Sequence, residues 1–224
     1  MSDKPKVIGL GSRVTNDEVT DFIRGYYKPI DPYLSKIRAE GEANKVPIIL
    51  KETENYLNTF LYMFKPKRIL EVGTAIGYSA MYFAASIPEA EVYTIEKDED
   101  MYIKAKENIE KSPWAERIHQ YLGDGSEIMD QLSPSFDLIF LDGAKSHYDR
   151  FTESGLRLCK SGSIIVADNV LMHGMTVYYN VEKYRKHRTN VKKMRGYLDS
   201  LLSDERMESS IMAIGDGLTV SIVK

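Results

Sequence analysis

The chain has 224 residues, 43% hydrophobic and 28% charged, with a formal net charge of −3. That composition fits a globular protein with one sizeable core and excludes a fibrous or disordered chain, and the acidic balance excludes global attraction to nucleic acid, so any such binding needs a local patch. The apolar runs are far short of a membrane span, Met1-Ser-Asp-Lys-Pro-Lys6 lacks a signal-peptide core, and the single cysteine, Cys159, excludes an internal disulfide or a cysteine-based zinc cluster; a cytoplasmic protein is expected.

Residues 1–65 read as a helical cap. Thr15 and Glu18 form a capping box ahead of Val19, Phe22, Ile23 and Tyr26, which recur at helical spacing. Asp31 before Pro32 predicts an N-cap and first helical residue leading into Leu34 and Ile37, with Gly41 ending that helix. Pro47 is expected to open a third helix with Leu50, Leu57, Phe60, Leu61 and Phe64 as its buried stripe, closed by Pro66.

Residues 66–224 then alternate strand and helix. Strands are predicted over 68–72, 91–96, 118–122, 137–141 and 163–167, and helices around 79–85, 98–111, 126–132 and 147–159, which places Cys159 at a helix end as a small buried hydrophobe. This alternation predicts a Rossmann-like, doubly wound α/β sheet of parallel strands joined by right-handed crossovers. After a polar helix, 210–214 and 218–223 flank Gly215-Asp216-Gly217 and read as a C-terminal hairpin. No repeat or low-complexity linker interrupts the chain, so 1–224 is expected to be one domain.

Arg68-Ile-Leu-Glu-Val-Gly-Thr-Ala-Ile-Gly-Tyr-Ser79 reads as a buried strand that breaks at Gly73 and re-enters as a helix near Tyr78. A glycine turn there lets a ligand approach the backbone closely and meet free N–H groups. Glu71 closes the strand, and Glu96, 19 residues past Gly77, ends the next one, where an acid can accept hydrogen bonds from ribose hydroxyls. The pair predicts a nucleoside-bearing cofactor. A dinucleotide site usually shows G-x-G-x-x-G, whereas this turn reads Glu71-x-Gly73-x-x-x-Gly77 with Ala75 in the middle. It resembles the first motif of S-adenosylmethionine-dependent methyltransferases.

Ligands of open α/β sheets bind beyond the carboxyl ends of the strands. That rim carries Glu71, Glu96, Asp124, Asp142, Asp168 and Asn169. Asp142, Asp168 and Asn169 come from neighbouring strand ends and suit one hard cation such as Mg2+, Mn2+ or Ca2+. Alone, Asp168-Asn169 or Asp142-Gly143 would be an ordinary turn pair.

Phe140-Leu-Asp-Gly-Ala-Lys145, with Tyr148 following, and Ile164-Ile-Val-Ala-Asp-Asn169 resemble the signature of the metal-dependent O-methyltransferases of the catechol and caffeoyl-CoA type, over residues 47–224. The resemblance implies that Asp142, Asp168 and Asn169 bind Mg2+ and that Lys145 sits beside the substrate hydroxyl, as base or as orienting group; Asp142 and Lys145 are thus the catalytic candidates. It implies that Glu96 holds the ribose and that Ile49, Gly73, Ser79 and Asp124 contact the rest of S-adenosyl-L-methionine, with Glu71 and Asp142 at the same site. One antiparallel strand and a homodimer are implied as well. Gly143-Ala144 depart from the bulky gatekeepers of the catechol enzymes, so their pocket preference does not carry over.

Between Asn180 and Gly196 lie Lys183, Arg185, Lys186, Arg188, Lys192, Lys193 and Arg195 against one acid, Glu182. A charge run is often only a solvated helix face, but seven cations in an acidic protein also suit a phosphate backbone. The cap and the Glu-Val-Gly-Thr-Ala-Ile-Gly-Tyr-Ser motif are similar to those of bacterial tRNA 5-hydroxyuridine O-methyltransferases, which implies a tRNA substrate, with a small catechol-like phenol as the alternative. Two rivals stand further off. An NAD-dependent dehydrogenase would use Glu96 similarly and find its pair in Tyr179-x-x-x-Lys183, but the glycine pattern is wrong; a non-enzymatic nucleoside-binding module is the other. His119, His147, His173 and His187 form no spaced pair, so no zinc site is expected, and His173 is a loop residue near the rim.

Overall fold

A computed structural model describes residues 17–133, 135–177 and 186–224. Thr15, Tyr178, Tyr179, Glu182, Lys183 and Arg185 lie outside the described residues.

Three helices precede the sheet: α1 (Asp17–Arg24), α2 (Pro32–Ala43) and α3 (Lys51–Phe64). The elements β1 (Arg68–Val72), α4 (Tyr78–Ser86), β2 (Glu91–Glu96), α5 (Glu99–Glu110), β3 (Ile118–Leu122), α6 (Gly125–Gln131), β4 (Phe136–Leu141), α7 (Tyr148–Leu158) and β5 (Cys159–Asp168) then alternate as expected. Helix α8 (Arg188–Ser203) leads into the hairpin of β6 (Met207–Met212) and β7 (Leu218–Val223). The seven strands lie in the order β3-β2-β1-β4-β5-β7-β6. Strands β1 to β5 pair in parallel, while β7 runs antiparallel to both β5 and β6.

Because successive side chains of a strand point to opposite faces, the sheet divides one apolar sequence into two cores. Ile69, Leu138, Phe140, Ile164 and Val166 face one layer, formed with α2, α3, α4 and α5. Leu70, Ile139, Leu141, Ile165 and Ala167 face the other, formed with α6, α7 and α8. The strand order reverses between β1 and β4, which opens the crevice where ligands of such sheets bind. Among the described residues no helix is long and apolar enough to cross a membrane.

Three sequence expectations need correction. Gly41 does not end α2 but lies buried inside it; a Cβ there would come within 3.0 Å of the Ile76 side chain, so the glycine sets a close approach. Lys45, at φ 55°, takes the left-handed turn after the helix. Pro47 does not open α3, because residues 46–50 are irregular and the helix begins at Lys51. The Ile49 carbonyl is held instead by Arg38 Nη2 at 3.0 Å. Cys159 opens β5 rather than ending a helix, and burial pushes its thiol up to about 11. Val19, Phe22, Ile23 and Tyr26 are exposed by 44–68%, so their helical stripe does not enter the core.

Candidate active site

Gly73 follows β1 at φ 106°, and a Cβ there would lie 2.5 Å from the Asp142 carbonyl oxygen beyond β4. Only glycine lets the two strand ends approach this closely. The turn continues through Ala75, held at φ 46°, to Gly77 at φ 83°, from which α4 starts. Glu96, at the tip of β2, holds this turn: Oε2 accepts from the Ala75 N–H at 2.8 Å, and Oε1 accepts from the Lys97 and Asp98 N–H groups at 2.9 Å each.

A cavity of about 470 Å3 opens over this turn. Of the residues expected at the cofactor, Ile49, Gly73, Ser79, Glu96, Asp124 and Asp142 line it together. Asp124 also caps α6 through the Ser126 N–H at 3.0 Å. Glu71 is not in the lining: it is fully buried beneath the turn, accepting from Thr94 Oγ1 at 2.6 Å, and its Oε1 has no hydrogen-bond partner. Burial pushes its carboxyl up to about 7, held from going further by the Ser79 and Thr94 hydroxyls.

Asp142, Asn169 and Lys145 share one end of the cavity. Lys145 Nζ donates to Asp142 Oδ1 at 3.0 Å and to the Tyr148 hydroxyl at 3.2 Å. Tyr148 in turn lies 3.1 Å from the Leu141 carbonyl and 2.9 Å from that of Asp168, bridging β4 and β5. Although burial opposes the charge on Lys145, Asp142 and Tyr148 hold its pKa above the ordinary lysine value. Asn169, at φ 61°, turns its amide back to Asp142 Oδ1 at 3.1 Å.

Asp168 lies behind this rim, 2% exposed, accepting from the Asn169 N–H at 2.6 Å. Burial, then the charge of Asp142, raises its carboxyl well above the usual range. Two carboxylates that repel each other beside a third oxygen-bearing side chain have the chemistry that suits a hard cation. The residues fit such an ion, with two carboxylates and an amide; among the described residues no group of three or more His, Cys, Asp or Glu side chains gathers to hold one.

Several lining residues escaped the sequence reading. Thr74, Tyr78, Met101, His147 and Phe151 also face the cavity, and only their place next to a motif could have pointed to them. His173 is not in the lining; its backbone N–H is bonded to Asp216 in the hairpin turn. Helix α8 packs against the Lys145–His147 turn, its Tyr197 ring 5.6 Å from that of Tyr148. Its other side exposes Arg188, Lys192 and Lys193, with Lys186 just before it. None of these four is paired with a carboxylate among the described residues, whereas Arg195 is half-buried on the Thr176 carbonyl.

A sequence profile described as O-methyltransferase matches residues 29–224. A caffeoyl-CoA O-methyltransferase of Populus kitakamiensis is 32% identical over 172 residues, covering 74% of this chain and 73% of that protein. A catechol O-methyltransferase of Niastella koreensis is 30% identical over 156 residues, covering 67% and 71%. Among solved structures, a candidate caffeoyl-CoA O-methyltransferase from Staphylococcus aureus superposes with a TM-score of 0.83 at 31% identity, over 92% of this chain and 98% of that one.

Proposed function

The chain belongs to the O-methyltransferase family and is an S-adenosylmethionine-dependent enzyme, and from that premise we propose that it methylates the 5-hydroxyl of 5-hydroxyuridine in tRNA with the help of a divalent cation. The observation that carries the tRNA reading is the exposed set Lys186, Arg188, Lys192 and Lys193, unpaired with any carboxylate among the described residues, on and just before the helix that packs against the Lys145 turn. Such a face can track a phosphate backbone while the target base enters the cavity. We read the chain as one domain, 1–224, acting in the cytoplasm.

The residues divide the work as follows. Glu96 and the Gly73–Gly77 turn bind the nucleoside end of the cofactor, and Asp124 and Ile49 close around it. Asp142, Asp168 and Asn169 would hold the cation, which when bound would favour loss of the acceptor hydroxyl's proton to solvent. Lys145 donates a charged hydrogen bond to that oxygen from its seat on Asp142 and Tyr148. Holding the oxygen in line with the sulfonium methyl supplies much of the remaining acceleration. A 5-hydroxyl beside the uracil carbonyl presents two neighbouring oxygens, as a catechol does.

A small catechol-like phenol is the second reading, favoured by the names of the relatives. Methyl transfer to tRNA carrying 5-hydroxyuridine, run beside a catechol across a salt series, separates the two. Efficient tRNA methylation that falls steeply with salt is expected. Inert tRNA alongside catechol turnover at every salt concentration would overturn the tRNA reading.

A further inference from the structure

Arg38 and Glu54 occupy core positions of their helices. Arg38 shares one face of α2 with Leu34, Ile37 and Gly41, and Glu54 shares one face of α3 with Leu57 and Leu61. They are 4% and 2% exposed. Two charges in an apolar face are costly to bury, and replacing such a pair with apolar groups is often neutral or stabilising, so stability is a weak reason for keeping them.

Their contacts point to the cofactor cavity. Arg38 Nη2 bonds Glu54 Oε2 and also donates to the Ile49 carbonyl at 3.0 Å, while Nε donates to the Tyr78 hydroxyl at 3.1 Å. Tyr78 donates to Glu54 Oε2 at 2.7 Å, and the Arg38 guanidinium sits 4.5 Å from the centre of the Tyr78 ring. Tyr27 adds a hydrogen bond to Glu54 Oε1 at 2.9 Å. Ile49 and Tyr78 both line the cofactor cavity, one from the irregular segment before α3, the other from the first turn of α4. Residues 47–49 also line a second cavity, of about 650 Å3, so this segment is a thin partition rather than a packed wall.

We infer that Arg38 is a positioning residue for cofactor binding: its planar fork ties residues 47–50 to the glycine-turn helix and so sets the width of the cofactor cavity from within the helical cap. A lysine keeps the charge but has no rigid fork to hold the Ile49 carbonyl and Tyr78 together. The inference rests on reading this cavity as the S-adenosylmethionine site.

The test measures S-adenosylmethionine affinity by calorimetry, steady-state kinetics and melting temperature for the parent, Arg38→Lys, the neutral pair Arg38→Gln with Glu54→Gln, and Glu96→Ala. Arg38→Lys and the neutral pair should each raise the cofactor Kd and KM about tenfold, with kcat at saturating cofactor changed far less, whatever their melting temperatures. A cofactor Kd within twofold of the parent in folded Arg38→Lys, or in the neutral pair, would overturn the inference and leave the network a purely structural one. Glu96→Ala separates the two layers of the argument. If it weakens binding while the Arg38 variants do not, this inference alone fails; if it too leaves affinity unchanged, the reading of the cavity fails and takes the inference with it.

Discussion

Glu71 has a carboxyl oxygen without a hydrogen-bond partner, beneath a turn whose other acids face a cavity. Burial raises its pKa from the ordinary 4.5 to about 7. An acid whose folded pKa is raised binds more protons folded than unfolded, so stability is full below pH 4.5 and falls as pH rises toward 7. The shift corresponds to about 3 kcal/mol across that window. Glu71→Gln should flatten the slope: urea titrations between pH 4.5 and 7 should show the parent losing stability relative to the variant, and parallel curves would mean that Glu71 ionises freely. The sequence made the acid visible but not its depth. Glu71 and Glu96 look alike at the ends of adjacent strands, yet the first points into the sheet and the second onto the turn. Conversely, Arg38 and Glu54 were legible in principle, as charges at apolar positions of a helical repeat, but a polar residue in a stripe announces its partner only once two helices are packed.

Element α8 joins two properties that its sequence carries on different residues. Val191, Met194, Tyr197, Leu198 and Leu201 are buried beside α7 and the Lys145 turn, while Lys192 and Lys193 face outward. Reversing both to Glu should weaken tRNA methylation severalfold and reduce its salt dependence by about two units of slope, since each removes about one phosphate contact. A small phenol should be methylated as before, and equal losses on both acceptors would assign the helix a structural role instead. The bounds of β1, β2 and β3 were legible as short, mostly apolar or β-prone runs, whereas β5 starts four residues and β6 three residues earlier than read, because sheet pairing extends them through polar sequence. Proline and glycine misled where tertiary contacts overrode local preference: Gly41 packs under Ile76 and Ile48 inside α2, and the segment after Pro47 is held by Arg38 rather than coiled.

At the scale of the whole molecule, the helical cap exposes large apolar side chains that the cores do not use. Phe22 and Ile23 on α1, Tyr26 just after it, and Tyr62 and Met63 on α3 are 44–76% exposed. Large exposed apolar groups gathered on a cap are characteristic of an interface. A homodimer through this cap is expected: light scattering at micromolar concentration should give twice the 25.6 kDa chain mass, and Phe22→Asp with Tyr62→Asp should return it to one. A single-chain mass for the parent would contradict it. The parallel strands were legible from the alternation and the β6–β7 hairpin from its glycine turn, while the antiparallel strand came from the family resemblance. What the sequence withheld is how close the strand ends come, because the contact of Gly73 with Asp142 joins residues from β1 and β4 that lie far apart along the chain.

The central claim is that Asp142, Asp168 and Asn169 hold a cation at one end of a methyl-transfer cavity. The most direct measurement is the initial rate of methyl transfer from S-adenosylmethionine to 5-hydroxyuridine tRNA, for the parent and for Asp168→Ala, with EDTA and after Mg2+ is restored. The parent should lose activity in EDTA and recover it with Mg2+, while Asp168→Ala, folded by circular dichroism, should stay on the order of 100-fold or more below the Mg2+-restored parent under every condition. Full activity of Asp168→Ala in EDTA would contradict the account.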